Sequence, residues 1–378
     1  MRVAIDIRRA GDFGVGTYTR SIVRALARCD TETNYLLFGR AAQFEDFGKL
    51  PPNFQLLDYR AEPASLRTHF HLPAVLAHRG VDILHMPWFY APAFVPCRLV
   101  ITVHDVTDLI YAGGVAGTTV VRAGRRHFAR RALMHASRIV SVSQAARRDL
   151  ARGFSIPESK IEVIYNALDE RFHNQEYPQD EAQILERHAV NYPFVLYAGN
   201  VRPHKNLPRL IEAFSVAKAE LRDAPGLENL KLLLIGDELA KHPALRRAVV
   251  VSRLREDVRF LGFVPHAVLR VFYKHARAFL FPSLYEGFGL PPLEAMAHNT
   301  PVLTSNVSSL PEVFGDSALM VNPEKVFEIA RGICQILTDQ DLRHRLTHAG
   351  AERIKMYSWD RSAAQLLHVY RSVISLDN

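Results

Sequence analysis

The chain has 378 residues, a length typical of two domains or of one large one. Its 48% apolar and 23% charged residues indicate a globular protein and exclude a disordered or fibrous one. The three cysteines, Cys29, Cys97 and Cys334, show no CxxC or Cys/His spacing, so neither a zinc site nor a disulfide framework is predicted. The N-terminal residues do not resemble a signal peptide, and no stretch reaches the roughly 18 uninterrupted apolar residues of a membrane span. These features predict a cytoplasmic protein.

The net charge of +8 is concentrated in one segment, from Arg122 to Arg152, which holds nine arginines and one acidic residue, Asp149. Such a local excess indicates an anionic partner. Residues 118–137 can form a basic amphipathic helix that lies on anionic lipid, at the inner face of the plasma membrane. The alternative is that its apolar residues are buried and its arginines solvated. A nucleic-acid partner is disfavoured, because Phe128 is the one aromatic residue inside the helix.

Short apolar runs alternate with helical patterns in the first half of the chain. Residues 2–7 predict a buried strand, which is followed by a Gly-rich loop and a helix from about Thr17 to Cys29. Further runs predict parallel strands covered on both faces: NYLLFG, VDILHM, RLVITVHD and RIVSVS. We therefore predict an α/β fold.

A polar stretch near residues 170–193 is interpreted as a connection between domains. A second strand series follows it: FVLYAGN, LKLLLIG, VRFLGFV, AFLFPS and PVLTSN. Two such series predict two doubly wound domains, at residues 1–180 and 181–357, with a ligand cleft where the carboxyl ends of their strands converge. The last segment, 358–378, is a predicted helix whose apolar stripe packs back across the first domain.

The segment SLYEGFGLPPLEAMAHN places two carboxylates at a turn that leads into a helix. Glu286 lies in the loop, and Glu294 lies one turn into a helix that begins near Pro291. Two acceptor-only side chains then flank an amide-rich turn, which suits sugar hydroxyls and phosphate oxygens. The alternative is an ordinary strand-to-helix turn in which Glu294 stabilises the helix dipole.

A second strand-to-helix junction, YAGNVRPHKNLPRL, carries positive charge. Lys205 and Arg202 there can neutralise a diphosphate, because charge-assisted hydrogen bonds contribute roughly 1.5 to 3 kcal/mol each. The alternative is a solvated basic loop.

Two further candidates lie at strand ends in the first half. Gly14 and Gly16 follow the first strand, but the pattern is not the GxGxxG fingerprint, so a nicotinamide enzyme is disfavoured. His104 and Asp105 lie at the carboxyl end of a strand, where a histidine can instead bond a loop carbonyl. The acidic triplet Asp339–Asp341 is interpreted as a helix cap, and no metal or cofactor is predicted.

Together these motifs resemble the retaining glycosyltransferases of glycosyltransferase family 4, whose signature is two glutamates separated by seven residues in a Gly-rich context. Glu286 and Glu294 match that spacing, and the resemblance extends over nearly the whole chain. It implies the GT-B fold, in which two Rossmann-like domains face each other across a cleft. The second domain would bind a nucleotide-sugar donor and the first a glycan or lipid-linked acceptor.

The resemblance also implies roles for individual residues. Glu286 would bind the donor sugar and Glu294 the nucleotide ribose. By the same resemblance, the backbone of Phe288, Gly289 and Leu290 would donate to the sugar and phosphate, and His104 would contact the sugar. Lys205 and Arg202 would bind the phosphates. Gly14 or Gly16 would approach the diphosphate or the acceptor, and Phe263 would form a wall against which the base stacks. Ser141, Ser143 and Asn166 match other family positions near the cleft. Many members carry an arginine where this chain has Asn200, so Lys205 aligns cleanly and Arg202 only loosely.

The His104–Asp105 pair and the GNVRPHKN loop resemble mannosyltransferases of bacterial surface polysaccharide assembly. GDP-mannose is therefore the favoured donor, with UDP- or dTDP-sugars as alternatives. Two other functions stay open on the same fold. A nucleotide-sugar epimerase or hydrolase would convert the donor without an acceptor, and a non-catalytic binder would form no product.

Overall fold

The computed structural model describes residues 1–63, 65–107, 119–173, 180–236 and 242–375. Packing divides the chain into two compact units. The first comprises Met1–Ala167 and Tyr357–Asn378, and the second comprises Leu168–Met356.

The first unit is built on a seven-stranded parallel sheet with the strand order β3-β2-β1-β4-β5-β6-β7. Its strands are β1 (Arg2–Asp6), β2 (Asn34–Gly39), β3 (Phe54–Asp58), β4 (Ile83–Met86), β5 (Arg98–Val103), β6 (Arg138–Ser141) and β7 (Ile161–Val163). Its helices before the second unit are α1 (Val15–Cys29), α2 (Leu66–His78), α3 (Thr119–His135) and α4 (Gln144–Phe154).

The second unit has a six-stranded parallel sheet with the order β10-β9-β8-β11-β12-β13. The strands are β8 (Phe194–Gly199), β9 (Lys231–Gly236), β10 (Val258–Gly262), β11 (Phe279–Phe281), β12 (Val302–Ser305) and β13 (Leu319–Val321). The helices are α5 (Glu170–His173), α6 (Glu181–Arg187), α7 (Leu207–Glu220), α8 (Pro243–Val251), α9 (His266–His275), α10 (Leu290–Ala297), α11 (Leu310–Phe314), α12 (Val326–Thr338) and α13 (Gln340–Lys355).

Both sheets follow the same topology. In each, the first strand in sequence pairs with the second on one side and the fourth on the other, so the strand order reverses between β1 and β4 and again between β8 and β11. The central strands consist mainly of buried apolar residues, as parallel strands covered by helices on both faces require. The predicted α/β architecture of two doubly wound units is confirmed. Ligands of such sheets bind beyond the carboxyl ends of the strands at the reversal.

The last helix, α14 (Trp359–Ser375), packs on α1 of the first unit. One face of α14 is buried in the core of that unit and includes Trp359, Ala363, Leu366, Tyr370 and Val373. The Ser362 hydroxyl also donates to the carbonyl oxygen of Tyr165 at 2.7 Å. The helix is therefore held by both apolar and polar contacts.

The two units meet in sequence after Ala167, whereas the sequence places the boundary at residue 180. The difference arises because α5, which precedes the predicted boundary, packs on the second unit. Phe172 of α5 is buried against the rings of His266 and Tyr273. The sequence around Phe172 is polar, so it does not indicate that this residue is buried.

Helix α3 overlaps the first part of the arginine-rich segment, and two of its arginines bind the end of α4. Arg126 donates to the carbonyl oxygen of Gly153 at 2.8 Å, and Arg130 donates to that of Phe154 at 3.2 Å. The last carbonyls of a helix lack intrahelical partners and carry partial negative charge, so both bonds stabilise the helix end. Part of the basic charge thus serves the first unit itself.

The outer side of α3 exposes Phe128, at 54% of its surface. The side chain of Arg122, the first arginine of the segment, lies outside the described residues. Contact of this segment with an anionic surface stays a prediction. Among the described helices, none combines the length and the hydropathy needed to cross a bilayer.

Gly16 allows α1 to pack closely on the loop that follows β1. A Cβ atom at this position would lie 2.3 Å from the carbonyl oxygen of Ala10. We expect Gly16→Ala to lower the free energy of unfolding by about 1 to 3 kcal/mol, although alanine is the better helix former by about 1 kcal/mol. Urea denaturation measures the change. The matched control is Gly11→Ala, because a Cβ there meets nothing within 4 Å. Equal losses in the two variants would contradict the steric explanation.

Candidate active site

An ion pair joins the two loops at the strand-order reversal of the second unit. Lys205 lies in the loop after β8, and Glu286 lies in the loop after β11. The Lys205 Nζ atom is 2.6 Å from Glu286 Oε1, and the two side chains are only 12% and 11% exposed. The backbone amide of Leu284 also donates to the carbonyl oxygen of His204 at 2.7 Å. The structure therefore brings together two of the predicted site residues.

Asn206 fixes the position of the lysine. It adopts a left-handed conformation, with φ of 63°, between the short 3-10 turn Pro203–Lys205 and α7. Its amide nitrogen Nδ2 donates to the carbonyl oxygens of Pro282 and Pro323, at 3.0 and 2.7 Å. Asparagine tolerates this backbone conformation better than most residues. The bonds hold the Lys205 loop against the Glu286 loop.

The Glu286 loop runs directly into α10. Gly289 is the N-cap residue, with φ of 102°, and a Cβ atom there would approach the side chains of Leu310 and Phe314 to 3.0 and 3.1 Å. Phe288 is buried and anchors the loop. Leu290 begins the helix, whose N-terminal end carries partial positive charge from its backbone amides.

Glu294 of α10 lies in a different environment from Glu286. Its Oε2 atom accepts a hydrogen bond from the Tyr273 hydroxyl at 2.9 Å. Burial raises the pKa of Glu294 to about 7; the Tyr273 bond opposes this rise, nearby Asp169 adds to it and Arg171 opposes it. Asp169 is itself buried and paired with Arg171 at 2.5 Å. This carboxyl group therefore titrates close to neutral pH.

The raised pKa of Glu294 has a consequence for stability. The fold favours the protonated form of Glu294. The stabilisation that this residue contributes is therefore fully present below its ordinary pKa of 4.5 and is lost as pH rises through about 7. Glu294→Gln keeps a neutral side chain at all pH values. We expect the difference in unfolding free energy between this variant and the parent to shift in favour of the variant from pH 5 to pH 8, as measured by urea denaturation. Glu212→Gln, on the exposed surface of α7, is the control, and parallel curves for all three proteins would contradict the assignment.

His104 follows β5 in the first unit and is a neutral imidazole that donates a hydrogen bond to a loop carbonyl. Its Nε2 atom lies 3.0 Å from the carbonyl oxygen of Pro87. Because a carbonyl only accepts, Nε2 carries the proton and Nδ1 is the acceptor nitrogen. Burial lowers the pKa of His104 to about 4. The loop-carbonyl bond considered as the alternative is present, while Asp105 accepts from the backbone amide of Thr107 at 2.8 Å.

A buried polar network lies beneath His104. His85 Nδ1 is 2.6 Å from the Tyr370 hydroxyl, and its Nε2 is 2.8 Å from Thr102 Oγ1. The Tyr18 hydroxyl is 3.0 Å from the same Thr102 oxygen, and the Tyr18 ring meets His104 edge-on at 4.8 Å between centroids. Burial lowers the pKa of His85 to about 3. Sequence reasoning missed this network, for which the signal was a histidine inside the apolar run VDILHM.

A second contact missed by sequence reasoning lies at the strand-order reversal of the first unit. The Arg9 guanidinium is 3.8 Å from the centroid of the Trp88 ring, and its Nε atom is 2.5 Å from Asp12 Oδ2. Trp88 also stacks near Tyr90, with ring centroids 5.9 Å apart. The signal was the aromatic run WFY, which begins one residue after the end of β4.

The other predicted contact residues lie in loops of the two units. Gly14 is the N-cap residue of α1, with φ of 65°. The carbonyl oxygen of Asn200 accepts from the Tyr197 hydroxyl at 2.8 Å. Arg202 is exposed beside the Lys205 loop, and Phe263, after β10, is 67% exposed.

Several polar residues singled out in the sequence have structural bonds. The Ser141 hydroxyl donates to the Ser143 carbonyl at 3.0 Å, and Ser143 caps α4 by accepting from the amide of Ala146. Asn166 is buried in the first unit. Asp339 accepts from the amide of Leu342 at 2.9 Å, which confirms the predicted helix cap. Within the described ranges, no cluster of three or more His, Cys, Asp or Glu side chains could hold a metal ion.

Two doubly wound units, with a charged pair at the strand-order reversal of one of them, define a class of α/β proteins whose ligands bind at the carboxyl edge of a sheet. Comparison with known proteins narrows this class. The family model "Glycosyltransferase Family 4" matches residues 14–172, and "Glycosyl transferases group 1" matches residues 178–353. O-antigen chain mannosyltransferase B of Escherichia coli is 32% identical over 290 residues, which cover 76% of this chain and 74% of that protein. The chain belongs to glycosyltransferase family 4.

Two further comparisons agree with this assignment. The serotype-specific mannosyltransferase WbdA of Escherichia coli is 34% identical over 230 residues, which are 60% of this chain but only 28% of the length of WbdA. The solved structure of HepE from Anabaena, in complex with UDP-glucose, superposes with a TM-score of 0.74 at 18% identity and covers 98% of this chain and 100% of HepE. The expected GT-B fold class is confirmed.

Proposed function

We propose that this glycosyltransferase moves mannose from GDP-mannose to a glycan or lipid-linked glycan, with retention of configuration, during assembly of a bacterial surface polysaccharide. The observation that carries the proposal is the Lys205–Glu286 pair at the strand-order reversal of the second unit. The names of two relatives, both mannosyltransferases, support the sugar. HepE, in complex with UDP-glucose, supports a nucleotide-sugar donor.

The ion pair suits an exchange of partners when the donor binds. Lys205 turns from the Glu286 carboxylate to the diphosphate, and Glu286 then accepts hydrogen bonds from sugar hydroxyls. Arg202, exposed on the same loop, adds positive charge. The N-terminal amides of α10, from Phe288 to Leu290, supply further donors at the positive end of the helix dipole. Asn200 lies in the same donor loop as Lys205 and Arg202.

The first unit supplies the acceptor side in this proposal. The bond from the sugar C1 to the leaving phosphate oxygen breaks, and a bond from C1 to the acceptor oxygen forms on the same face. The acceptor proton passes to the leaving phosphate, so no dedicated base is needed. His104, with its pKa lowered to about 4, is too weak a base to remove that proton, but its Nδ1 atom suits a hydrogen bond from a hydroxyl. In this proposal Gly14, the N-cap residue of α1, and Gly16, in the first turn of that helix, would approach the diphosphate or the acceptor.

The nucleoside contacts complete the donor site. Glu294 accepts bonds from the ribose hydroxyls most strongly when ionised, above the pKa of about 7. The exposed ring of Phe263 stacks against the base. No metal ion is required, because Lys205, Arg202 and the α10 amides meet the charge of the diphosphate.

An acceptor linked to a lipid diphosphate would bring the protein to the inner face of the plasma membrane. The 54% exposed ring of Phe128 on α3, beside the exposed Arg131, supports such a peripheral contact.

The donor is identified by the stabilisation that it gives. We expect GDP-mannose to raise the melting temperature more than UDP- or dTDP-sugars do, since only a ligand that binds the folded state stabilises it. Turnover with the best donor is then measured with and without a glycan acceptor. A larger rise in melting temperature with a UDP- or dTDP-sugar would show that the donor carries that nucleotide instead of GDP. Donor conversion without an acceptor would favour an epimerase or hydrolase. Binding without product under any acceptor would favour a non-catalytic protein.

Substitution of the ion pair tests the site. We expect Glu286→Ala to lower kcat at least about 100-fold with a folded protein. Lys205→Met should weaken donor binding about 10- to 100-fold, the loss of one charged hydrogen bond to phosphate. Lys218→Met is the matched control, because it removes a comparable pair with Asp257 at 2.7 Å outside the site loops. Near-normal transfer by Glu286→Ala would overturn the assignment of that glutamate.

A further inference from the structure

We propose that Ser308 and Ser309 are positioning residues that hold Glu286 in its sugar-binding geometry. The inference rests on the proposed function, in which Glu286 contacts the donor sugar. Both serines lie in the loop between β12 and α11, and β12 is the neighbour of β11 in the sheet.

The two serines bind both backbone polar groups of Glu286. The Glu286 amide donates to Ser308 Oγ at 3.0 Å, and the Ser309 hydroxyl donates to the Glu286 carbonyl oxygen at 2.9 Å. The carboxylate of the same residue is held by Lys205. Glu286 is therefore held at its backbone by one loop and at its side chain by another.

The backbone of Ser308 indicates that its side chain matters. Its φ is 55°, in the left-handed region that glycine adopts without strain. A serine carries a steric cost there. Serine has a hydroxyl that glycine lacks, and this hydroxyl accepts a hydrogen bond from the Glu286 amide.

Ser309 shows the same use of its hydroxyl. It is the N-cap residue of α11, a position where a serine side chain commonly accepts a bond from the first turn of its own helix. No such cap bond forms here, and the buried hydroxyl is directed to Glu286 instead. Neither serine therefore serves only its own loop.

A positioning role follows from the sensitivity of transfer to geometry. A misplacement of about 1 Å in a contact group can cost on the order of 100-fold in rate. The lysine alone leaves the Glu286 backbone unrestrained, because its four-carbon chain is flexible. The serine bonds fix the point from which the carboxylate reaches the sugar.

Ser308→Gly separates this role from a merely structural one. Glycine relieves the left-handed strain, so we expect an unchanged or higher melting temperature together with a fall in kcat of at least 10-fold. A nucleoside diphosphate without sugar should bind with unchanged affinity in calorimetry. Ser155→Gly is the matched control, since Ser155 at the end of α4 also has φ of 55°. It should keep the parent kcat.

A double-mutant cycle tests whether Ser308 acts through Glu286. We expect Ser308→Gly to change the residual rate of the Glu286→Gln variant less than about 2-fold, and Ser309→Ala to behave likewise. Parent-like kcat in Ser308→Gly, or an equal loss in both backgrounds, would overturn the positioning role. If Glu286→Ala loses activity and Ser308→Gly keeps the parent kcat, this inference alone is overturned. If Glu286→Ala keeps normal activity, the proposed role of Glu286 is overturned and this inference with it.

Discussion

The largely buried ion pair between Lys205 and Glu286 is the interaction on which the candidate site of the second unit depends. Two charges in a largely desolvated position are costly unless each stays with a partner, so the loops that carry them must meet. Asn206 holds the Lys205 loop against the segment that follows β11. The close packing at Gly289 and the serine bonds to the Glu286 backbone hold the Glu286 loop against the segment around α11. In the proposed function, a diphosphate sugar would offer the same two side chains new partners of matching charge and hydrogen-bonding capacity.

The two glutamates of one short motif have distinct chemistry because their surroundings differ. Glu286 faces a lysine across two loops, whereas Glu294 lies within a helix beside Tyr273 and near the buried Asp169. In the first unit, burial keeps His104 and His85 neutral. Neutral imidazoles suit contacts with hydroxyls more than the capture of protons, which agrees with the proposed transfer, in which no dedicated base takes part.

The last helix, α14, packs in the first unit, which is formed mainly by the N-terminal part of the chain. Tyr370 of the last helix binds His85, which shares Thr102 with Tyr18, and Tyr18 packs on His104. The candidate site of the first unit therefore depends on residues that follow the whole second unit in sequence.

The sequence by itself determined the alternation of buried strands and helices, because that periodicity is local, and it determined the family, because the Glu286–Glu294 spacing lies within one loop and one helix. It also predicted Lys205 as a candidate site residue, because that residue lies at a strand-to-helix junction. Tertiary structure decided which residues meet: Lys205 with Glu286 across 81 positions and His85 with Tyr370 across 285. Strand order sets such contacts, as it sets the serine bonds to Glu286. Likewise, only packing shows that Phe172 belongs to the second unit, because burial depends on neighbours that are distant in the chain.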